Sequence, residues 1–173
     1  MENRKGLING WWQGTFMAMA VMLLALLPMG CASSQARLER LAKTQEAVAA
    51  ALSNRHLRIT VNSMNPARYS SRVVSFGFYL ELKGDTLDSY LPYRGRVYQT
   101  AAFSTSEGLN FEAPILSYQE SRPKNDLSRI ELQVKTREDV YYYILDVYDT
   151  GKALIRVRAQ NRDGISFDGD CDL

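Results

Sequence analysis

From Leu57 onward the apolar residues of this chain recur at every second position, and that period restricts the fold more than any other feature. Leu57, Ile59 and Val61 alternate with Arg58, Thr60 and Asn62, while Ile130, Leu132 and Val134 alternate with Arg129, Glu131, Gln133 and Lys135. Successive side chains of a β-strand point to opposite faces, so these runs are strands with one face buried and one wet. The clearest run sets Val74, Phe76, Phe78, Leu80 and Leu82 on one face against Ser75, Gly77, Tyr79, Glu81 and Lys83 on the other. It ends at Gly84-Asp85, a two-residue hairpin signal. Closing the chain there predicts Lys83 opposite Thr86, Leu82 opposite Leu87, Leu80 opposite Ser89 and Phe78 opposite Leu91, a register that keeps the apolar positions together.

Further turns are expected at Arg137-Glu138-Asp139, at Asp149-Thr150-Gly151-Lys152 and at Asp163-Gly164, between runs over 140–148, 153–160 and 165–168. Short strands joined by short turns make a mainly β domain, a single antiparallel meander of about eight strands. It can bury its apolar face by closing as a small barrel or by folding into a two-layer sandwich, and the pattern leaves both open. The segment 92–114 breaks the rhythm and reads as a long loop with short strand pieces around 96–100. Ahead of the strands, Leu38, Leu41, Gln45, Val48 and Leu52 recur at spacings of three and four, which predicts one amphipathic helix. Ser33 or Ser34 can cap it and Asn54 can end it. This spacer helix is expected to lay its stripe on the domain's own sheet, the alternative being a coiled-coil seam with another copy, for which fewer than three heptads are available.

The N-terminus specifies an address. Arg4 and Lys5 precede an unbroken apolar run from Phe16 to Leu27, and Pro28-Met29-Gly30 leads into Cys31, the organisation of a secretory signal. The run is interrupted by Gln13, Gly14 and Thr15 on one side and Pro28 on the other, short of the ~20 apolar residues a membrane span needs. Gly30-Cys31 resembles the end of a bacterial lipobox, although Pro28 stands where Leu is typical and Leu27 lies one residue further back. Residues 1–30 are thus expected to be a signal peptide, 31–56 a lipid-anchor tether and spacer helix, and 57–173 the β-domain. Acylation of Cys31 would tether the protein to a membrane; the alternative is an ordinary signal peptide, with Cys31 free or bonded to Cys171. Ala32-Ser33-Ser34 carries no acidic run, which leans towards an outer-membrane lipoprotein facing the periplasm.

Several matched blocks in order give a more specific lead. The string from Gly84 through Leu87, Tyr90-Leu91-Pro92-Tyr93 and Arg94-Gly95-Arg96-Val97-Tyr98 is followed by Gly108-Leu109-Asn110-Phe111 and Pro114. With Met64-Asn65-Pro66, Tyr79-Leu80, Ser117-Tyr118, Gly151-Lys152-Ala153 and the stretch from Gln160 to Phe167, this resembles the domain-of-unknown-function family numbered 4251 over most of 57–169. The family comprises small exported proteins, often lipoproteins, of Gram-negative gut and oral anaerobes. The resemblance implies location and fold kinship, and carries no activity.

The residues exclude more chemistry than they suggest. With 21 basic and 19 acidic residues the formal net charge is +2, too balanced for a nucleic-acid footprint. His56 is the only histidine, so serine–histidine and cysteine–histidine catalysis and multi-histidine metal sites are unavailable within one chain. It reads as a half-exposed linker residue. Asp168, Asp170 and Asp172 read as solvated acids on a strand end rather than metal ligands, and Glu107 with Glu112 or Glu138 with Asp139 are only weak acid–base pairs. No metal and no cofactor are expected. The most suggestive cluster is Tyr93, Arg94, Arg96 and Tyr98 around Gly95, where two tyrosines bracket two guanidinium forks suited to carboxylates or phosphates; Asn110 joins it as a candidate binding residue. The plainer reading is a tight turn whose tyrosines pack on the sheet and whose arginines pair with Glu81 or Asp88. The expectation for function is an envelope lipoprotein whose non-catalytic β-domain binds a small ligand or a protein partner. Its rivals are a carboxylate-dependent enzyme acting on envelope sugars and a structural or inhibitory envelope component.

Overall fold

A computed structural model describes residues 32–75, 77–98 and 108–173, so the expected signal peptide, Cys31, Phe76 and Glu107 lie outside the described residues. The chain divides into two units, 1–40 and 41–173. Of the first, only the opening turns of helix α1 (Ala32–Ser53) are described. Ser33 and Ser34 lie inside this helix and not at its start, which corrects the expected N-cap.

The second unit contains the rest of α1 and nine strands: β1 (His56–Pro66), β2 (Arg72–Val73), β3 (Tyr79–Lys83), β4 (Thr86–Pro92), β5 (Gly108–Lys124), β6 (Leu127–Lys135), β7 (Val140–Tyr148), β8 (Lys152–Ala159) and β9 (Ile165–Asp172). β1 pairs with β3, β3 to β9 each pair antiparallel with the next, and β9 returns to β1. Of the two closures left open by the pattern, the chain adopts the barrel, with eight strands and with β2 added at Ser63 and Met64 of β1. Eight strands enclose an interior just wide enough for side chains to fill. Here Leu57, Ile59, Leu80, Leu82, Leu87, Ile130, Leu145, Ile155 and Phe167 are all buried in it. One polar contact lies among them. The Ser89 hydroxyl donates to the Leu109 carbonyl oxygen (2.7 Å) and lies 3.1 Å from the hydroxyl of Tyr143, whose pKa burial pushes up.

The expected hairpin is present from Tyr79 on: Lys83 faces Thr86, Leu82 faces Leu87 and Leu80 faces Ser89. It does not extend back through Phe78. Gly77 has φ 105°, in the left-handed region open to glycine, and this bends the chain out of the strand before Phe78. Phe78 is half-buried and stacks on Tyr90 at 5.4 Å, leaving Leu91 to pair with Leu109. The segment 92–114 also differs from expectation, because Gly108–Pro114 is the first half of β5, paired with β4 as far as Thr86 and Pro114.

The three C-terminal aspartates are not merely solvated. They fasten the closing seam between β1 and β9 on its outer face. Asp168 accepts from Ser63 Oγ (2.9 Å) and Asn65 Nδ2 (2.7 Å), Asp170 from Asn62 Nδ2 (2.7 Å), and Asp172 from Thr60 Oγ1 (2.9 Å). Lys152 also lies 2.6 Å from Asp170 and, with Asn62, holds that carboxyl below its ordinary range. Among the described residues no cluster of three or more side chains is arranged to hold a metal ion.

The later turns of α1 close one end of the barrel. Val48 and Leu52 are buried in the core, Gln45 donates to Asp149 (2.9 Å), and Thr44 lies against Gly151. Leu41 stays 41% exposed, so only the C-terminal part of the expected stripe is used within this unit. The helix ends at Ser53, with the expected Asn54 directly after it; Arg55, at φ 49°, takes the left-handed position and places its guanidinium 2.9 Å from Asp85 and over the Tyr118 ring. Among the described residues no helix is long and apolar enough to cross a membrane.

On the outer wall, Asp146 is buried between Arg129 (2.7 Å) and Arg156 (2.5 Å). Burial alone would raise its carboxyl, but the hydrogen bonds and charge of the two guanidiniums outweigh that and hold it below the ordinary carboxylate range. A carboxyl depressed in the folded state stabilises the fold above about pH 4, and that contribution disappears as the pH falls through the folded value. Asp146→Asn is therefore expected to lose less stability between neutral pH and about pH 3 than the wild type, read from urea midpoints at both. Equal losses would place the acid sensitivity elsewhere.

Candidate functional site

The barrel end opposite α1 carries the connections after β1, β4, β6 and β8, and the Tyr93 to Tyr98 segment runs across it. Strand β4 delivers Tyr93 to the rim. The chain then turns back at Gly95, where a Cβ would collide with the Tyr93 hydroxyl, so the ring can fold beneath the turn only because residue 95 is glycine. The single proton of Tyr93 Oη is shared between the carbonyl oxygens of Arg96 (2.9 Å) and Asp163 (3.1 Å), and burial pushes its pKa up to about 12. Residues 96–98 pair with the loop after β8: Asp163 N–H donates to Arg96 O (3.0 Å), Tyr98 N–H to Asn161 O (2.7 Å), and Val97 bridges Arg162.

Asp163 gathers this rim. It accepts from the Tyr98 hydroxyl (2.5 Å) and from Arg96 N–H (3.1 Å), and pairs with Arg68 (3.1 Å), which together hold its carboxyl below the ordinary range. Beside it Arg162 is buried between the rings of Tyr93 and Tyr141, 5.5 and 5.7 Å from their centroids, and pairs with Glu138 at 2.8 Å. Asp139, also buried, accepts from the N–H groups of Val140 (2.7 Å), Gln160 (3.1 Å) and Asn161 (3.0 Å). A hollow of about 150 Å³ opens next to this group, lined by Asn110, Phe111, Thr136, Arg137, Glu138 and Tyr141.

The cluster thus has two kinds of member. Tyr93 and Tyr98 are engaged within the chain, whereas the arginines between them are not neutralised. Arg94 stacks on the Tyr69 ring at 4.8 Å, and the exposed Arg96 side chain makes no hydrogen bond or ion pair among the described residues. The carboxylates proposed for them by the plainer reading are taken: Glu81 by Arg58 (2.9 Å) and Lys83 (3.5 Å), and Asp88 by Lys83 (2.9 Å). Asn110 lies exposed at the lip of the hollow. The weak acid–base pair Glu138 and Asp139 is committed to Arg162 and to backbone N–H groups. His56 sits exposed at the start of β1, at the other end of the barrel. Cys171 is half-buried, and burial followed by Asp170 and Asp172 pushes its thiol up to about 12, which disfavours the thiolate form.

Arg162, Asp163, Arg68 and Tyr69 were not singled out from the sequence. Asp163-Gly164 signals a turn, but nothing local says that the preceding arginine lies between two tyrosines, one just after β4 and one in β7.

Comparison with known proteins adds kinship without chemistry. The profile of the family described as Domain of unknown function (DUF4251) matches residues 39–171. The crystal structure of a DUF4251 family protein from Bacteroides eggerthii superposes with a TM-score of 0.58 at 10% identity, covering 75% of this chain and 87% of that one, a likeness of fold. No curated protein matches the chain.

Proposed function

Because the chain belongs to the DUF4251 family of unknown function, we propose its role from its own geometry: an exported envelope lipoprotein, anchored through Cys31, whose barrel binds and does not catalyse. The carrying observation is that Arg94 and Arg96 stand without carboxylate partners on the rim opposite α1, while the acids around them are committed. A guanidinium is planar and permanently charged, and two of them on a folded support suit a small ligand or protein partner that presents carboxylate or phosphate groups. An outer-membrane location with the barrel on the periplasmic face fits the leader and the lack of an acidic run in Ala32-Ser33-Ser34.

Replacing Arg94 and Arg96 together by Ala is expected to leave stability within about 1 kcal/mol, since exposed charges contribute little to folding. The same change should abolish the adducts formed in the native host by a photo-cross-linking residue at Val97, which is 42% exposed between the two barrel-end loops. A marked fall in melting temperature with unchanged adducts would assign the arginines to the fold instead.

A further inference from the structure

The outer wall of the barrel carries a second constellation, distinct from the rim. Ser117 of β5, Gln133 of β6, Tyr142 of β7 and Arg158 of β8 stand in one register row across four strands. Gln119 and Glu131 occupy the row beside it, facing Ile144. These residues line a cleft of about 490 Å³. Tyr142 is its platform, 49% exposed and held by a 3.4 Å hydrogen bond from Gln133 Nε2.

Charge is distributed unevenly on this wall. Arg129 and Asp146 face each other in the next row, and Arg156, at the β8 end of the Glu131–Ile144 row, turns to the same aspartate, so both arginines are committed to Asp146. In the cleft, Glu131 makes no hydrogen bond or ion pair among the described residues and feels Arg129 only as a longer-range attraction, and Arg158 has no partner either. One anion and one cation therefore stand at opposite corners of an aromatic floor. Strands ~4.8 Å apart and a rise of ~3.3 Å per residue put two strands and two residues at about 12 Å between their Cα atoms.

The geometry points to a binding site for a short zwitterionic peptide of two or three residues. Glu131 takes the terminal ammonium and Arg158 the terminal carboxylate as a bidentate pair. Tyr142 and Ile144 support the apolar side chain between them, while the amides of Gln119 and Gln133 meet the peptide groups. A volume of this size accommodates such a ligand. A neutral sugar would use the aromatic floor and the amides but would leave both charges unpaired, so the peptide matches the cleft more fully.

The test is a titration of the full chain with the tripeptide Ala-Leu-Ala, read from backbone amide shifts, alongside the same tripeptide acetylated and amidated at its ends, and cellobiose. Saturable shifts at Gln119, Glu131, Gln133, Tyr142 and Arg158 are expected with the free tripeptide only. Glu131→Gln and Arg158→Gln should each weaken binding roughly tenfold, with melting temperatures unchanged because both side chains stand on the outer wall. Replacing Arg94 and Arg96 should leave this binding intact, which separates it from the rim. Equal binding of the capped peptide, binding of cellobiose in its place, no saturation by about 20 mM, or indifference to both single substitutions would each overturn the assignment.

Discussion

Replacing Gly169 by Val is expected to unfold the barrel or to lower its melting temperature by roughly 10 °C or more, a loss of at least about 3 kcal/mol. Gly169 faces Val61 across the β1–β9 seam, and a Cβ there would collide with the Thr60 carbonyl oxygen and stand 2.9 Å from Ile59 Cγ2. The obstacle is backbone of the facing strand, which cannot swing aside as a side-chain tip could. Relief would require the seam to part, taking with it the hydrogen bonds that Asp168, Asp170 and Asp172 accept from β1. Gly164→Ala is the matched control, because a Cβ at that position meets only the Val157 carbonyl oxygen at 3.5 Å, an ordinary contact, and should cost less than about 1 kcal/mol. Chemical denaturation of both variants decides the matter. Equal tolerance at the two glycines would mean that the seam does not hold the barrel closed.

Replacing Cys31 by Ser is expected to move the protein from the detergent phase to the aqueous phase on phase separation while leaving its melting curve unchanged. Each buried acyl methylene contributes ~0.8 kcal/mol to membrane association, and stable anchoring takes two such chains, so their loss changes partitioning completely. The unit that contains the barrel begins at Leu41 and its buried core is drawn from Val48 onward, so its melting curve reports on residues beyond the substitution. Intact-mass spectrometry of the wild type supplies the complementary reading: a mature chain carrying no acyl mass would overturn the anchor.

The parts of the fold legible in the sequence are those governed by local parity. A two-residue turn at Gly84-Asp85 together with alternation on either side is enough to set Leu80, Leu82, Leu87 and Ser89 in their register. Gly77 defeated the same rule, because an outward strand position and a left-handed bend look alike when occupied by glycine. Pro92, Gly108 and Pro114 punctuate a segment whose buried Leu109 and Ala113 nonetheless keep period two, and the punctuation concealed the first half of β5. Pro114 is tolerated there because it sits at the last rung of the β4–β5 ladder. Barrel or sandwich could not be decided locally, since closure depends on Arg58 meeting Asp172. The rim was half-visible for a similar reason. Tyr93 to Tyr98 announced themselves as a cluster, but Arg162 and Asp163, which organise them, arrive from a loop about 65 residues away, as the 65-residue separation of Tyr98 and Asp163 records.

The seam also sets an order of events in time. Thr60 bonds to Asp172 across 112 residues of chain and Asn65 to Asp168 across 103, whereas the β3–β4 and β7–β8 hairpins close over a few residues. Pairing of such distant segments carries the largest loop-closure entropy in the molecule and comes after the hairpins have formed. Until the eight residues of β9 dock, β1 and β8 remain raw edges able to pair with another chain. Closure of the barrel is therefore the late event of folding, and a change that slows the meeting of β9 with β1 lengthens the time for which both edges stand open to pairing between molecules.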